Sequence, residues 1–263
     1  MKGHIVLRDV KKIYGSGPEA VEAIRSVNFE VPSGDFLSIL GPSGCGKSTL
    51  LLLITGLIPI SAGEILIEGE LVSKPRRDLG MVFQAPVLMP WRSVLDNILF
   101  PIDVLSLKRR DFLNEAMKLI ETTGLLGFED KLPMELSGGM QQRASICRAL
   151  IHNPSLLLMD EPFSALDAMT RDEMNIELLR IWEKYKKTVI FVTHSVREAI
   201  FLSDNVVVMS RRPSVIMESL RIDLPRPRLI EMQETNEFNR YVAELRSLII
   251  RSHEGTNDVL SSS

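Results

Sequence analysis

Eight consecutive residues, Gly41-Pro42-Ser43-Gly44-Cys45-Gly46-Lys47-Ser48, follow the spacing G-x-x-x-x-G-K-[ST]. The chemistry this suits is the grip of a polyphosphate. Glycines let successive backbone N–H groups turn inward around phosphate oxygens, and a helix that follows directs its positive end at the same anion. Lys47 adds a mobile positive charge at the β/γ phosphates, and the Ser48 hydroxyl is placed to ligate Mg²⁺. The stretch Gly41 to Thr49 is therefore expected to line a nucleoside triphosphate. Kinases, GTPases, motors and transporters all use such a loop, so the loop alone goes no further.

Two more stretches carry chemistry. Leu156-Leu-Leu-Met-Asp160-Glu161 is an apolar run ending in two carboxylates. A strand there delivers Asp160 to its tip, where it can hold Mg²⁺ through water. A second carboxylate directly after it, Glu161, suits polarising an attacking water. The same acid pair ahead of Pro162 could instead cap a helix. Leu136-Ser137-Gly138-Gly139-Met140-Gln141-Gln142-Arg143 places a hydroxyl and two glycines just ahead of a helix, which makes either a second anion site or a plain N-cap. Cys45, beside Lys47 and a helix start, is expected either to favour the thiolate and react with a maleimide or to be a buried, inert thiol.

Positioning these residues requires a particular order of elements. Asp35 to Leu40 reads as a short buried strand and Thr49 to Leu57 as a buried helix, with the glycine loop between them. Further buried strands are expected at Leu156 to Met159, Thr188 to Thr193 and Asn205 to Met209, the continuous aliphatic runs of a parallel sheet covered on both faces. The core is therefore α/β, over 1–84 and 154–215. From 85 to 153 no strand is evident. Phe112, Ala116, Leu119 and Ile120 share one helical face, and Gln141 to Ile151 is rich in helix formers, so this stretch reads as an inserted helical subdomain. In 216–263, Leu224-Pro-Arg-Pro-Arg228 reads as an extended linker. A last amphipathic helix on Phe238, Tyr241, Leu245 and Leu248 follows, and the chain then frays at Ser261 to Ser263.

The composition is that of an ordinary globular protein: 263 residues, 45% hydrophobic and 25% charged. A net charge of -3 gives no reason to expect a nucleic-acid partner, and Arg211-Arg212 reads as solvated surface. Cys45 and Cys147 make no disulfide framework. The start Met1-Lys2-Gly3-His4 is too polar for a signal peptide, and no apolar run reaches the ~18 residues of a membrane span. The expected location is cytoplasmic, with any membrane association made through a partner.

Taken in order, the glycine loop, Gln84, Leu136-Ser-Gly-Gly, Asp160-Glu161, Ser164-Ala-Leu-Asp167 and His194 resemble the ATP-binding-cassette superfamily over about residues 4 to 215. The resemblance implies a P-loop NTPase (RecA-like) core with an inserted helical subdomain. It implies ATP as substrate, Mg²⁺ held by Ser48, Gln84 and Asp160, and catalysis by Glu161, His194, Gln84 and Lys47. Tyr14 matches the aromatic residue that stacks on adenine. His194 matches the histidine that contacts the γ-phosphate, and Asp167 belongs to the loop that crosses the dimer. Two copies would pair head to tail, each ATP lying between the loop of one copy and Ser137, Gly138, Gly139 and Met140 of the other. The superfamily commonly has Gln where this chain has Met140, a departure some importer branches share.

A single cassette without membrane helices resembles bacterial importers, whose permease subunits and periplasmic or extracellular solute-binding protein are separate chains. Such a cassette would sit peripherally on the cytoplasmic face of the inner membrane. Gln84-Ala-Pro-Val-Leu-Met-Pro-Trp91-Arg92-Ser-Val-Leu-Asp96-Asn97 and Leu224-Pro-Arg-Pro-Arg228 resemble the branch that imports nitrate, aliphatic sulfonates and taurine. Pro86, Leu88, Pro90 and Trp91 would offer the permease an apolar surface. The alternative is a soluble cassette ATPase in DNA repair or translation.

Overall fold

The computed structural model describes residues 3–254, so Met1, Lys2 and the tail with Ser261 to Ser263 lie outside the described residues. In chain order the elements are β1 (Ile5–Tyr14), β2 (Val21–Val31), β3 (Phe36–Leu40), α1 (Lys47–Ile54), β4 (Ala62–Ile67), β5 (Glu70–Leu71) and β6 (Leu79–Val82). They continue with α2 (Val94–Val104), α3 (Leu113–Thr122), α4 (Gly138–Leu150), β7 (Leu156–Asp160) and α5 (Ala168–Tyr185). The last are β8 (Thr188–Val192), α6 (Val196–Leu202), β9 (Asn205–Met209), β10 (Ser214–Arg221) and α7 (Asn236–Glu254). The chain forms two compact units: 1–76 with 187–263, and 77–186.

The strands of the first unit hydrogen-bond in the order β5-β4-β1-β2-β10-β9-β3-β8. β3 runs parallel to both β8 and β9, and every residue of β3 and β8 is buried. That is why their sequences are aliphatic without alternation. The other half is antiparallel: β1 pairs with β2 and β4, with bulges that break its two-residue period. α7 lays Phe238, Tyr241, Leu245 and Leu248 inward, all buried, as its helical spacing predicts. Each such side chain contributes about 1.5–3 kcal/mol on leaving water.

The segment Leu224–Arg228 is extended, as expected, but it is not a free linker. Leu224 and Arg228 are buried, and Arg228 donates from Nη1 to the carbonyls of Ile200 (2.7 Å) and Phe201 (3.0 Å). Arg226 donates to the Leu202 carbonyl at 2.9 Å and pairs with Asp204 at 2.7 Å. The last carbonyls of a helix have no partner inside it; here α6 finds three of them in two arginines. Burial pulls Arg228 down to about 10. That cost is offset by carbonyl acceptors rather than by a carboxylate of its own.

In the second unit β6 and β7 pair in parallel, with Gly80 opposite Leu157. A Cβ on Gly80 would lie 2.5 Å from the Ala149 carbonyl, so α4 closes directly on the strand's backbone. The segment 85–153 contains helices and no strand among its described residues, as its composition predicts. This unit includes more than that segment, taking in the strand pair and α5. Among the described residues no helix is long and apolar enough to cross a membrane.

Candidate functional site

The phosphate loop occupies the turn from β3 into α1, in the first unit. Gly46 sits at the helix start with φ 113°, and Gly44 has φ 73°, conformations that side chains strongly disfavour. No side chain caps α1. Its leading N–H groups are thus offered by the backbone alone, which is the arrangement an anion requires. Lys47 is 5% exposed, with Nζ donating to the carbonyls of Gly41 (2.9 Å) and Pro42 (3.1 Å). The ammonium is therefore stored across the loop. Ser43, Gly44 and Ser48 are exposed, and Thr49 is half-buried.

The same unit holds Tyr14 and His194. Tyr14 ends β1 with its ring 42% exposed and Lys12 Nζ 4.9 Å from the ring centroid. His194 is exposed between β8 and α6. Around it, the Ser195 N–H donates to Thr193 Oγ1 (3.0 Å), and Thr193 Oγ1 donates to Glu198 Oε2 (2.5 Å). Ser195 caps α6 by accepting from the Glu198 N–H.

Of the two readings of Cys45, reactive thiolate and buried thiol, the structure favours the second. Cys45 is 2% exposed, and burial pushes its thiol up, outweighing the nearby Lys47 charge. Its surroundings are those of a packed thiol. Arg211 and Arg212 are exposed, as expected of solvated surface, and that surface adjoins the phosphate loop. With Pro42 to Cys45 they line a cavity of about 710 Å³ beside the phosphate loop. Their place follows from chain order and topology: they come directly after β9, whose C-terminal end adjoins that of β3. Ligands of parallel sheets gather at that edge.

The second unit brings together a different set. β7 carries Asp160 at its last position, and Glu161 follows with φ 45°, rare for a residue with a side chain. Gln84 Nε2 donates to Ser164 Oγ at 3.1 Å, and that hydroxyl donates to the Glu161 carbonyl at 3.0 Å. Gln84 is thereby linked to the turn that carries Glu161. Ser137 caps α4, its hydroxyl accepting from the Met140 N–H at 3.3 Å. A Cβ on Gly139 would stand 2.9 Å from Thr170 Cγ2, so glycine lets α4 and α5 approach there; Gly138 has more room. Asp167 caps α5 by accepting from the Thr170 N–H, which draws its carboxyl below the usual range.

Beside Gln84 the chain is pinned from two sides. Arg148 donates to the carbonyls of Pro86 and Val87, each at 2.8 Å. Buried Asn97 accepts from the Met89 N–H at 2.7 Å and donates to the carbonyls of Met89, Arg92 and Ser93. Arg109 and Arg92 brace the same end through Asp103, whose carboxyl they hold down at about 2. The loop thus held presents Trp91 outward, 75% exposed.

Comparison with known proteins identifies the family and the fold. The ABC transporter family model matches residues 24–164. An uncharacterised ABC transporter ATP-binding protein of Methanocaldococcus jannaschii is 49% identical, over 93% of this chain and 92% of the relative. This chain belongs to the ABC transporter family. Two further ABC relatives are named for import. An aliphatic sulfonates import ATP-binding protein of Bacillus cereus is 42% identical over 91% of this chain and 94% of its own. A taurine import ATP-binding protein of Rhizobium johnstonii is 44% identical over 92% of each. Among solved structures, a dimeric ATP-binding cassette in a post-hydrolysis state bound to ADP and Pi superposes with TM-score 0.73. It is 30% identical and covers 84% of this chain and 100% of its own. The fold is that of the ABC ATPases, as expected.

Proposed function

We propose that this chain is the ATP-hydrolysing subunit of an importer for a small organic or inorganic anion of the sulfonate, taurine or nitrate kind. It would act as a pair of copies on separate permease subunits, with a solute-binding protein delivering cargo. The observation that carries the reading is the uncapped start of α1 behind Gly46, with Lys47 stored across the loop. This is a polyphosphate receptor in a chain whose relatives are named as import ATPases. Those names favour transport over a role in DNA repair or translation.

The roles follow from the chemistry of each group. Backbone N–H groups of Gly44 to Thr49 and the Lys47 ammonium hold the β and γ phosphates, and Tyr14 stacks on the base. Glu161 takes the proton of the attacking water, Gln84 orients that water, and His194 contacts the γ-phosphate. Ser137, Gly138, Gly139 and Met140 of one copy close on the nucleotide of the other, with Asp167 at the crossing. Ser48, Gln84 and Asp160 would hold Mg²⁺. The donors are a hydroxyl, an amide oxygen and a carboxylate, the all-oxygen set a hard cation takes, and the Gln84 amide nitrogen is already engaged by Ser164. When bound, the ion offsets the charge that develops on the phosphates.

Trp91, Pro86, Leu88 and Pro90 are the proposed permease contact. A tryptophan exposed on a pinned loop can be buried by a partner at little entropic cost. Trp91→Ala should leave the ATPase rate of the isolated subunit within about twofold while weakening complex recovery with the permease by roughly tenfold or more. Undiminished recovery in a pull-down would remove Trp91 from the interface. The cargo class is tested by ATP-driven uptake into vesicles holding the full complex; no uptake of a sulfonate, taurine or nitrate would reject this branch.

A further inference from the structure

The helix after His194 is fastened at both ends, and the second fastening comes from the C-terminal segment. At its start, the Thr193 N–H donates to the Ile39 carbonyl at 3.2 Å, tying the histidine's turn to β3, the strand that feeds the phosphate loop. At its end, Ser203 hydrogen-bonds Ser38 of the same strand through their hydroxyls. Asp204 accepts from the Phe36 N–H at 2.9 Å. α6 thus lies along β3, and the exposed His194 stands two residues ahead of it.

A seven-residue helix of this kind holds itself poorly, because isolated short helices are marginal. The C-terminal segment closes it. Arg226 and Arg228 take the carbonyls of Ile200, Phe201 and Leu202, and Arg226 also grips Asp204. At the other end Arg197 donates to the Gln233 carbonyl at 3.2 Å, and its guanidinium lies 5.4 Å from the centre of the Phe238 ring of α7. The Asp223 N–H donates to Tyr241 Oη at 3.1 Å, which fixes the strap itself to α7.

We infer that Leu224–Arg228 is a positioning element of the ATPase centre, in which Arg226 and Arg228 close the last turn of α6 and thereby hold His194 in register with the phosphate-loop strand. The inference rests on the proposed role of His194. Neither arginine touches nucleotide; both act through the helix. ATP affinity, set by the loop, should then be spared while turnover falls, because a reacting group displaced by an ångström costs rate before it costs binding.

The test uses the full chain. Arg226→Ala removes a half-buried side chain that the fold should tolerate, and Arg228→Lys keeps charge and reach but loses the fork. Each is expected to lower kcat about five- to twentyfold with the ATP KM within about twofold. In a His194→Ala background the same substitutions should change kcat by less than about twofold, because the residue they position is gone. Amide hydrogen exchange over 193–203 should quicken in Arg226→Ala while 41–49 stays as in wild type. Wild-type kcat in Arg226→Ala, an equal loss in the His194→Ala background, or unchanged exchange over 193–203 would each overturn the inference. Wild-type kcat in His194→Ala alone would instead remove the histidine's role, and the inference with it.

Discussion

The helix starts behind the two glycine motifs, in different units, solve one problem in opposite ways. α1 begins at a left-handed glycine with no side-chain cap, and α4 begins at Ser137, whose hydroxyl already accepts from the Met140 N–H. The first leaves its donors for a ligand. The second satisfies one of them internally, as do Gln84 through Ser164 and Asp167 through Thr170. The phosphate loop is therefore a receptor that is complete before nucleotide arrives. Ser137, Gln84 and Asp167 of the second unit already have partners, which in their proposed roles they would exchange to act. Binding and turnover should be separable by mutation along this division.

The largest effect should come from Glu161→Gln. It keeps the shape of the side chain and removes the charge that takes a proton from water, so kcat should fall by about 10²–10⁴ while ATP binding persists. Size-exclusion chromatography with Mg-ATP should then show a dimer that ADP does not support. Near wild-type turnover would place the catalytic carboxylate elsewhere. On the receptor side, Gly46→Ala forces a side chain into φ 113°, a strain of order 1–3 kcal/mol. ATP binding by titration calorimetry should weaken roughly tenfold, and unaltered affinity would mean that the loop is not preformed.

The strand, loop and helix of the receptor were legible in the sequence, because a buried parallel strand, a glycine loop and an aliphatic helix each leave an unbroken local pattern. The antiparallel half was legible only in short pieces, the strand-like Ile5-Val6-Leu7 and the β-like run after Pro213. Bulges in β1 around Val10 and Lys12 destroy the alternation by which a half-exposed strand is read. The partners of Arg212, Arg226 and Arg228 were not legible for another reason. A charge names no partner by itself, and only the fold shows Arg212 beside the phosphate loop and Arg228 spent on helix-end carbonyls. Trp91 stands exposed, as its expected apolar surface requires, and the bracing of its loop by Asn97 and Arg148 holds it there.

Two smaller effects sharpen the division further. Ser137→Ala removes a cap worth about 1 kcal/mol, so thermal unfolding should shift by a few degrees. Single-copy ATP affinity should stay unchanged, since α4 does not bind the nucleotide of its own chain in the proposed arrangement; a matching loss of monomer affinity would contradict it. The smallest concerns Cys45. With its thiol packed and raised by burial, maleimide labelling of the folded protein should be slower than that of the unfolded chain by at least about tenfold. Rapid native labelling at Cys45 would show that the loop opens on its own.

Gly80 has a mechanical meaning. With the Ala149 carbonyl 2.5 Å from where a Cβ would stand, the end of α4 rests on bare main chain, with no side chain between them to flex. A tilt of that helix, such as the proposed pairing at Ser137 would start, would therefore pass to β6 directly. β6 leads within two residues to Gln84 and then to the loop of Trp91, so a single stroke reaches both.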